Sequence, residues 1–169
     1  AQDYYQKAMD IIITMQSTDN KKLVDLPHYD SNKLREELAL FNDWFIQRHL
    51  QLDISLNQQQ IIDDTFNLLI DSALNQPQKL VHRDFHSRNL MITDNQSIAV
   101  IDFQDAVVGA SSYDLVSLLK DCYIQWPESD VKQWVEYFHK KASNLQLCDN
   151  NFAEFFRQFE WMGMQRHIK

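Results

Sequence analysis

A mainly helical α+β fold, with a single small β-hairpin held among helices, is what this sequence predicts. Only Gly109, Gly163 and three prolines punctuate the 169 residues, so little interrupts long helices. Apolar residues recur at helical spacing on both sides of one short β-prone stretch. With 44% hydrophobic and 12% aromatic residues, the chain has enough apolar material for one domain with a substantial core.

In chain order, Tyr4, Tyr5, Ala8, Ile11, Ile12 and Met15 mark a first helix from Asp3 to about Gln16. Pro27 ends a loop, and Asp30 or Ser31 can cap a second helix whose Leu34, Leu38, Phe41 and Phe45 fall on one stripe. A third helix, about Gln58 to Leu74, would bury Ile61, Ile62, Thr65, Phe66, Leu69 and Ala73 before Pro77 closes it. The character then changes. Leu80-Val81, Leu90-Met91-Ile92 and Ile98-Ala99-Val100-Ile101 are short β-prone runs, with a polar turn from Thr93 to Ser97 between the last two. Helical spacing returns after Gly109, from about Tyr113 to Tyr123, from about Ser129 to Asn144, and from about Asn151 onward. Trp134, Phe138, Phe155 and Phe159 read as core residues of those helices.

The net charge of −8, from 24 acidic and 16 basic residues with no basic run, lacks the electropositive footprint that nucleic acid binding needs. The longest apolar runs are far shorter than the roughly 18 residues of a membrane span, and no secretory leader pattern is present, so a cytoplasmic protein with no membrane partner is expected. Cys122 and Cys148 are isolated, fit no zinc spacing, and read as buried thiols in helices. The last helix has no stop signal, with Met164, His167 and Ile168 continuing an apolar face past Gly163, and no strand precedes the first helix. Truncation at both ends is the resulting expectation.

Everything chemically distinctive lies between His82 and Asp114. The stretch reads Val81-His82-Arg83-Asp84-Phe85-His86-Ser87-Arg88-Asn89-Leu90-Met91-Ile92, and after the turn Val100-Ile101-Asp102-Phe103-Gln104-Asp105. Charged groups held on a rigid hairpin frame cost stability unless a ligand or metal compensates. Phosphoryl transfer gives a reason for these residue types at this spacing. A carboxylate on a tight loop, Asp84, can accept the proton of a nucleophilic hydroxyl. A carboxamide and a carboxylate from the two ends of a hairpin, Asn89 and Asp102, supply the hard oxygen donors that Mg²⁺ needs while waters and nucleotide phosphates complete its octahedron.

The coupled pattern His82-x-Asp84-x-x-x-x-Asn89 with Ile101-Asp102-Phe103 resembles the catalytic and metal-binding motifs of protein kinases and of the aminoglycoside and choline phosphotransferases that share their fold. The longer stretches Val81 to Met91, Ile101 to Gly109, Tyr113 to Tyr123 and Arg35 to Phe45 resemble the bacterial kinases that phosphorylate N-acetylmuramate and N-acetylglucosamine at the anomeric carbon. The resemblance implies the C-terminal lobe of a protein-kinase-like fold over residues 1–169, ATP and Mg²⁺ as cofactors, a small-molecule sugar substrate, and a nucleotide lobe that the chain does not hold, since two glycines cannot furnish a Gly-rich loop. The 169 residues taken alone are therefore expected to bind ATP weakly and to transfer no phosphate. The alternatives are an aminoglycoside or a choline-like acceptor; the aminoglycoside branch usually has Gly at the position of Arg83, which leaves antibiotic phosphorylation less favoured.

Within that resemblance, Asp84 is the catalytic base, and His86 and Arg88 are candidates to face the transferred phosphoryl group, where positive charge or donors stabilise the transition state. His82 reads as a structural histidine bonding the backbone beside Asp102. Asp114 opens the next helix and reads as a helix cap or a partner for the catalytic-loop backbone. Gln104 and Asp105 are open to metal binding or substrate orientation, or, for Asp105, to pairing with Arg83. Asp43 and Trp44 are open to lining a sugar pocket, with a core position the alternative for Trp44. Functions of other classes are a metallohydrolase using His82, Asp84 and His86, which leaves Asn89 and Asp102 without a role, and a non-catalytic binding module, which has no use for Asp84, Asn89 and Asp102 together.

Overall fold

Helix α1 (Gln2–Gln16) forms where its spacing predicts, but its buried face is turned from the expected stripe: Ala8 and Ile12 are buried with Met9 and Ile13, while Tyr4, Tyr5, Ile11 and Met15 are half-buried. It opens the computed structural model, which describes Gln2–Ile168. Asp30 caps α2 (Ser31–Leu40) by accepting from the Lys33 amide at 2.9 Å. The chain then winds directly into a π-helical stretch, Phe41–His49, whose wider turn breaks the 3.6-residue phase. This corrects the single stripe expected there. Leu34 and Leu38 are buried, but Phe45 and Trp44 are 47% and 56% exposed, so Trp44 is not a core residue.

Helix α3 (Leu56–Leu74) starts at a capping box in which Ser55 and Gln58 satisfy each other's backbone amides. Ser55→Ala is expected to lower stability by about 1 kcal/mol, measured as a lower urea midpoint with an unchanged slope. Phe66, Leu69, Ile70 and Ala73 form its buried face. Ile61, expected on that face, is 58% exposed. It lies five residues before Phe66, which turns it about 140° away around the helix.

Two antiparallel pairs of strands follow. β2 (Leu90–Ile92) and β3 (Ile98–Val100) form the expected hairpin, in the register Leu90↔Val100. β1 (Gln78–Val81) pairs instead with β4 (Val107–Ala110), in the register Val81↔Val107, a strand the hydrophobic pattern did not predict. All four β4 residues are buried, so β4 carries no polar alternation to mark it. The segment before α2 borders the pair, with the Tyr29 amide donating to the Val108 carbonyl and the Val108 amide to that of Pro27.

Helix α4 (Tyr113–Leu119) is buried throughout and stops at Lys120, short of the expected Tyr123. Cys122 therefore lies in a loop and is exposed, contrary to the buried helical thiol predicted; Cys148 is buried as expected, but between the last two helices and not within one. Helices α5 (Glu128–Asn144) and α6 (Phe152–Ile168) close the core, with Phe138 and Phe155 stacked at 6.0 Å and Trp134 and Phe159 buried beside them. Gly163 does not interrupt α6. Its open face receives the Lys120 side chain, whose Cδ would lie 2.9 Å from an added Cβ. No helix among the described residues is long and apolar enough to cross a membrane.

Candidate active site

The loop that leaves β1 is pinned from below by α4. The Asp114 carboxylate, fully buried, accepts from the His82 amide at 2.8 Å and from the Arg83 amide at 3.0 Å. Burial pushes its pKa up to about 7, against the opposing pull of those two amides and of Arg166. Asp114 thus braces the loop backbone instead of capping its own helix. Arg83 adopts φ 74°, a left-handed conformation that favours glycine, and the Asp114 bond offsets a local cost on the order of 1–2 kcal/mol. The arginine therefore stands at a position whose backbone suits the glycine of the aminoglycoside branch.

The Arg83 side chain turns toward α2 and pairs with Glu37 at 2.7 Å, above the Tyr29 ring. Glu37, not Asp105, is its partner. Arg166 reaches over from α6 to donate to the Arg83 carbonyl and the Tyr113 hydroxyl. His82 is 2% exposed and packs edge-on against Phe85. Burial holds its pKa below the ordinary value; Ile101 lies close enough to favour the protonated ring, yet neither ring nitrogen completes a well-formed hydrogen bond.

Asp84 is held by its backbone, not by its carboxylate. Its carbonyl accepts from the His86 amide at 3.0 Å and from Asn89 Nδ2 at 2.9 Å, while the half-buried carboxylate has no hydrogen bond or ion pair among the described residues. The β2–β3 pairing continues one step beyond the hairpin's open end, where the Ile101 amide, just after β3, donates to the carbonyl of Asn89, just before β2, at 3.1 Å. Asn89 and Asp102 are thereby brought to the same open end of the hairpin. Asp102, like Arg83, is a left-handed non-glycine, with φ 68°, and its exposed carboxylate is unpaired among the described residues. With Nδ2 committed to Asp84, Asn89 keeps Oδ1 as a free acceptor. A carboxamide oxygen and a carboxylate fit Mg²⁺, a hard cation that takes few protein ligands. No group of three or more His, Cys, Asp or Glu side chains is placed to hold a metal among the described residues.

His86 and Arg88 are brought together over Tyr123, with the His86 ring edge-on at 5.5 Å and the Arg88 guanidinium 3.6 Å above the ring centre. Asp121, buried beneath them, accepts from the Ser87 and Tyr123 amides, each at 2.9 Å. A groove of about 840 Å³ opens beside this cluster, lined by Asp121, Tyr123, Trp126 and Lys132. Gln104 and Asp105 are exposed and line a separate cavity of about 460 Å³ with Tyr29 and Arg83. Asp43 and Trp44 belong to neither: Arg48 covers the Trp44 ring at 4.0 Å, in an apolar groove with Phe41 and Phe45.

Residues 1–147 match the Phosphotransferase enzyme family. The chain belongs to this family. The N-acetylmuramate/N-acetylglucosamine kinase of Neisseria meningitidis serogroup B is 44% identical over 145 residues, covering 85% of this chain and 43% of that protein. Its counterpart in Pseudomonas aeruginosa is 38% identical over 170 residues, covering 100% of the chain and 49% of that protein. The chain thus spans about half the length, or less, of the curated relatives it matches. A Plasmodium vivax ethanolamine kinase superposes with a TM-score of 0.67 over 99% of this chain and 51% of that one, at 14% identity, which shows the kinase-like fold they share.

Glu37, Asp121 and Arg166 went unrecognised in the sequence as parts of the site. Glu37 and Arg166 sit in helices far from the motif, and Asp121 follows α4 in a segment that reads as more helix. The spacing of such residues carries no signal, because their contacts are made only across the fold.

Proposed function

We propose that this chain is the catalytic lobe of an ATP- and Mg²⁺-dependent cytoplasmic kinase that phosphorylates the anomeric hydroxyl of an N-acetylated amino sugar. The observation that carries the reading is the juxtaposition of the unpaired Asp84 carboxylate with Asn89 and Asp102 at the open end of the hairpin. In the proposed reaction Asp84 accepts the proton of the attacking hydroxyl while that oxygen bonds to the γ-phosphorus. The bond from the γ-phosphorus to the β,γ-bridging oxygen breaks, and ADP leaves. Asn89 Oδ1 and the Asp102 carboxylate would hold Mg²⁺, whose charge offsets that of the nucleotide phosphates.

The name shared by the curated relatives supports the sugar assignment, as does the chemistry of the acceptor. An anomeric hydroxyl is more acidic than an ordinary alcohol, so a carboxylate base accepts its proton readily. The net charge of −8 by itself would favour a polycationic aminoglycoside. Cations beside the reacting loop oppose that, though Arg83 contributes less than its sequence position suggests, because Glu37 neutralises it. His86 and Arg88 are the positive or donor groups left beside Asp84 for the transferred phosphoryl group.

The test is a substrate panel on the full-length protein with γ-phosphate-labelled ATP. Label is expected at the anomeric position of N-acetylmuramate or N-acetylglucosamine, and to require Mg²⁺. Kanamycin or ethanolamine phosphorylation with no sugar turnover would remove the sugar assignment and leave the kinase reading. The 169 residues alone are expected to show no transfer under the same conditions.

A further inference from the structure

We propose that Asp121 and Tyr123 are positioning residues that hold His86 and Arg88 over the reacting centre, a role that rests on the phosphoryl-transfer reading above. The chain leaves α4 at Leu119 and turns sharply under the catalytic loop. Asp121 is 8% exposed there, and its two carboxylate oxygens are divided between two elements. Oδ2 accepts from the Ser87 amide, inside the catalytic loop, and Oδ1 from the Tyr123 amide, two residues along its own turn. One carboxylate thus ties the turn to the loop.

The tie fixes where the Tyr123 ring lies. Its face receives the Arg88 guanidinium at 3.6 Å, and the His86 ring meets it edge-on at 5.5 Å and 73°. Arg88 is exposed, and a long cationic side chain in water samples many rotamers unless a partner limits it. A single aromatic ring therefore limits the orientations of both His86 and Arg88. Asp121 does not act on the substrate in this arrangement. Although burial works to raise its pKa, hydrogen bonds from the Ser87 side chain and the Tyr123 and Ser87 amides, with the His86 charge, hold it below the usual carboxylate value. It stays charged, as an acceptor of two amides should.

Tyr123 is 48% exposed, so replacing it leaves the core intact. In the full-length protein Tyr123→Leu is expected to lower kcat roughly ten- to hundredfold through misplaced donors, with the KM for ATP unchanged. Tyr123→Phe, which keeps the ring, should restore kcat. In an Arg88→Ala background Tyr123→Leu should cost less than it does alone, because one of the two groups it positions is gone. Full additivity of the two changes, or a kcat unaffected by Tyr123→Leu, overturns the proposal. If the wild-type protein phosphorylates no acceptor, the functional reading fails separately. The clamp is then judged by NMR: the His86 ring resonances should move in Tyr123→Leu and return in Tyr123→Phe, and Asp121→Asn should speed hydrogen exchange at both the Ser87 and Tyr123 amides. Unmoved resonances and unchanged exchange sink it.

Discussion

Asp84→Asn in the full-length protein is expected to lower kcat by about a hundredfold to ten-thousandfold, the range that a positioned general base contributes. The asparagine is isosteric, so the Asp84 carbonyl keeps its bonds from the His86 amide and Asn89 Nδ2, and the loop should hold its shape. What disappears is an acceptor for the hydroxyl proton, needed only as the reaction proceeds. The KM for ATP should therefore stay within a few fold, because the groups assigned to Mg-nucleotide, Asn89 and Asp102, are untouched. Asp102→Ala should differ in kind, raising the Mg²⁺ concentration needed for half-maximal rate. Steady-state kinetics over a Mg²⁺ series separates the two, and unchanged turnover in Asp84→Asn would remove Asp84 from the mechanism.

Stability should fall between pH 4 and pH 7 because of Asp114. In the unfolded chain this carboxyl ionises near its ordinary value of 3.8, whereas in the fold burial raises its pKa to about 7. The folded state therefore holds the proton longer. Its stabilising contribution is complete below about pH 4 and is lost as the pH rises through about 7, by up to about 4 kcal/mol. The urea midpoint of the wild type should drop between pH 5 and pH 8, and that drop should flatten in Asp114→Asn, which cannot ionise. A wild-type midpoint no more pH-dependent than the variant's would show that Asp114 is already ionised across the range. Asp114→Ala is expected to be worse than either, since it strands the His82 and Arg83 amides at about 1–3 kcal/mol for each buried donor left unpaired.

The two residues differ in how far the sequence alone could take them. Asp84, Asn89 and Asp102 were legible because the chemistry and the covalent spacing coincide: a tight loop and a short hairpin leave few ways to arrange them, and the Ile101 to Asn89 hydrogen bond follows from that hairpin. Asp114 was legible as a helix opener that could brace the loop backbone. Its burial and its high pKa were not, because both depend on what α6 and β1 bring around it.

Local periodicity and spacing, which depend on residues near one another in the chain, determined the helices α1, α3, α5 and α6, the β2–β3 hairpin, and the motif by which the chain resembles the Phosphotransferase enzyme family. Where several local structures fit equally well, only the tertiary structure decided. Val107 to Ala110 became a strand because β1 and the Pro27–Tyr29 segment offer it partners on both sides. Residues 120–123 left the helix because Asp121 caps the Ser87 amide instead of continuing a turn. Arg83 chose Glu37 over Asp105 because α2 packs above Tyr29 and brings that carboxylate within 2.7 Å. Each of these outcomes is a competition between partners distant in sequence, settled by burial and hydrogen bonding across the fold.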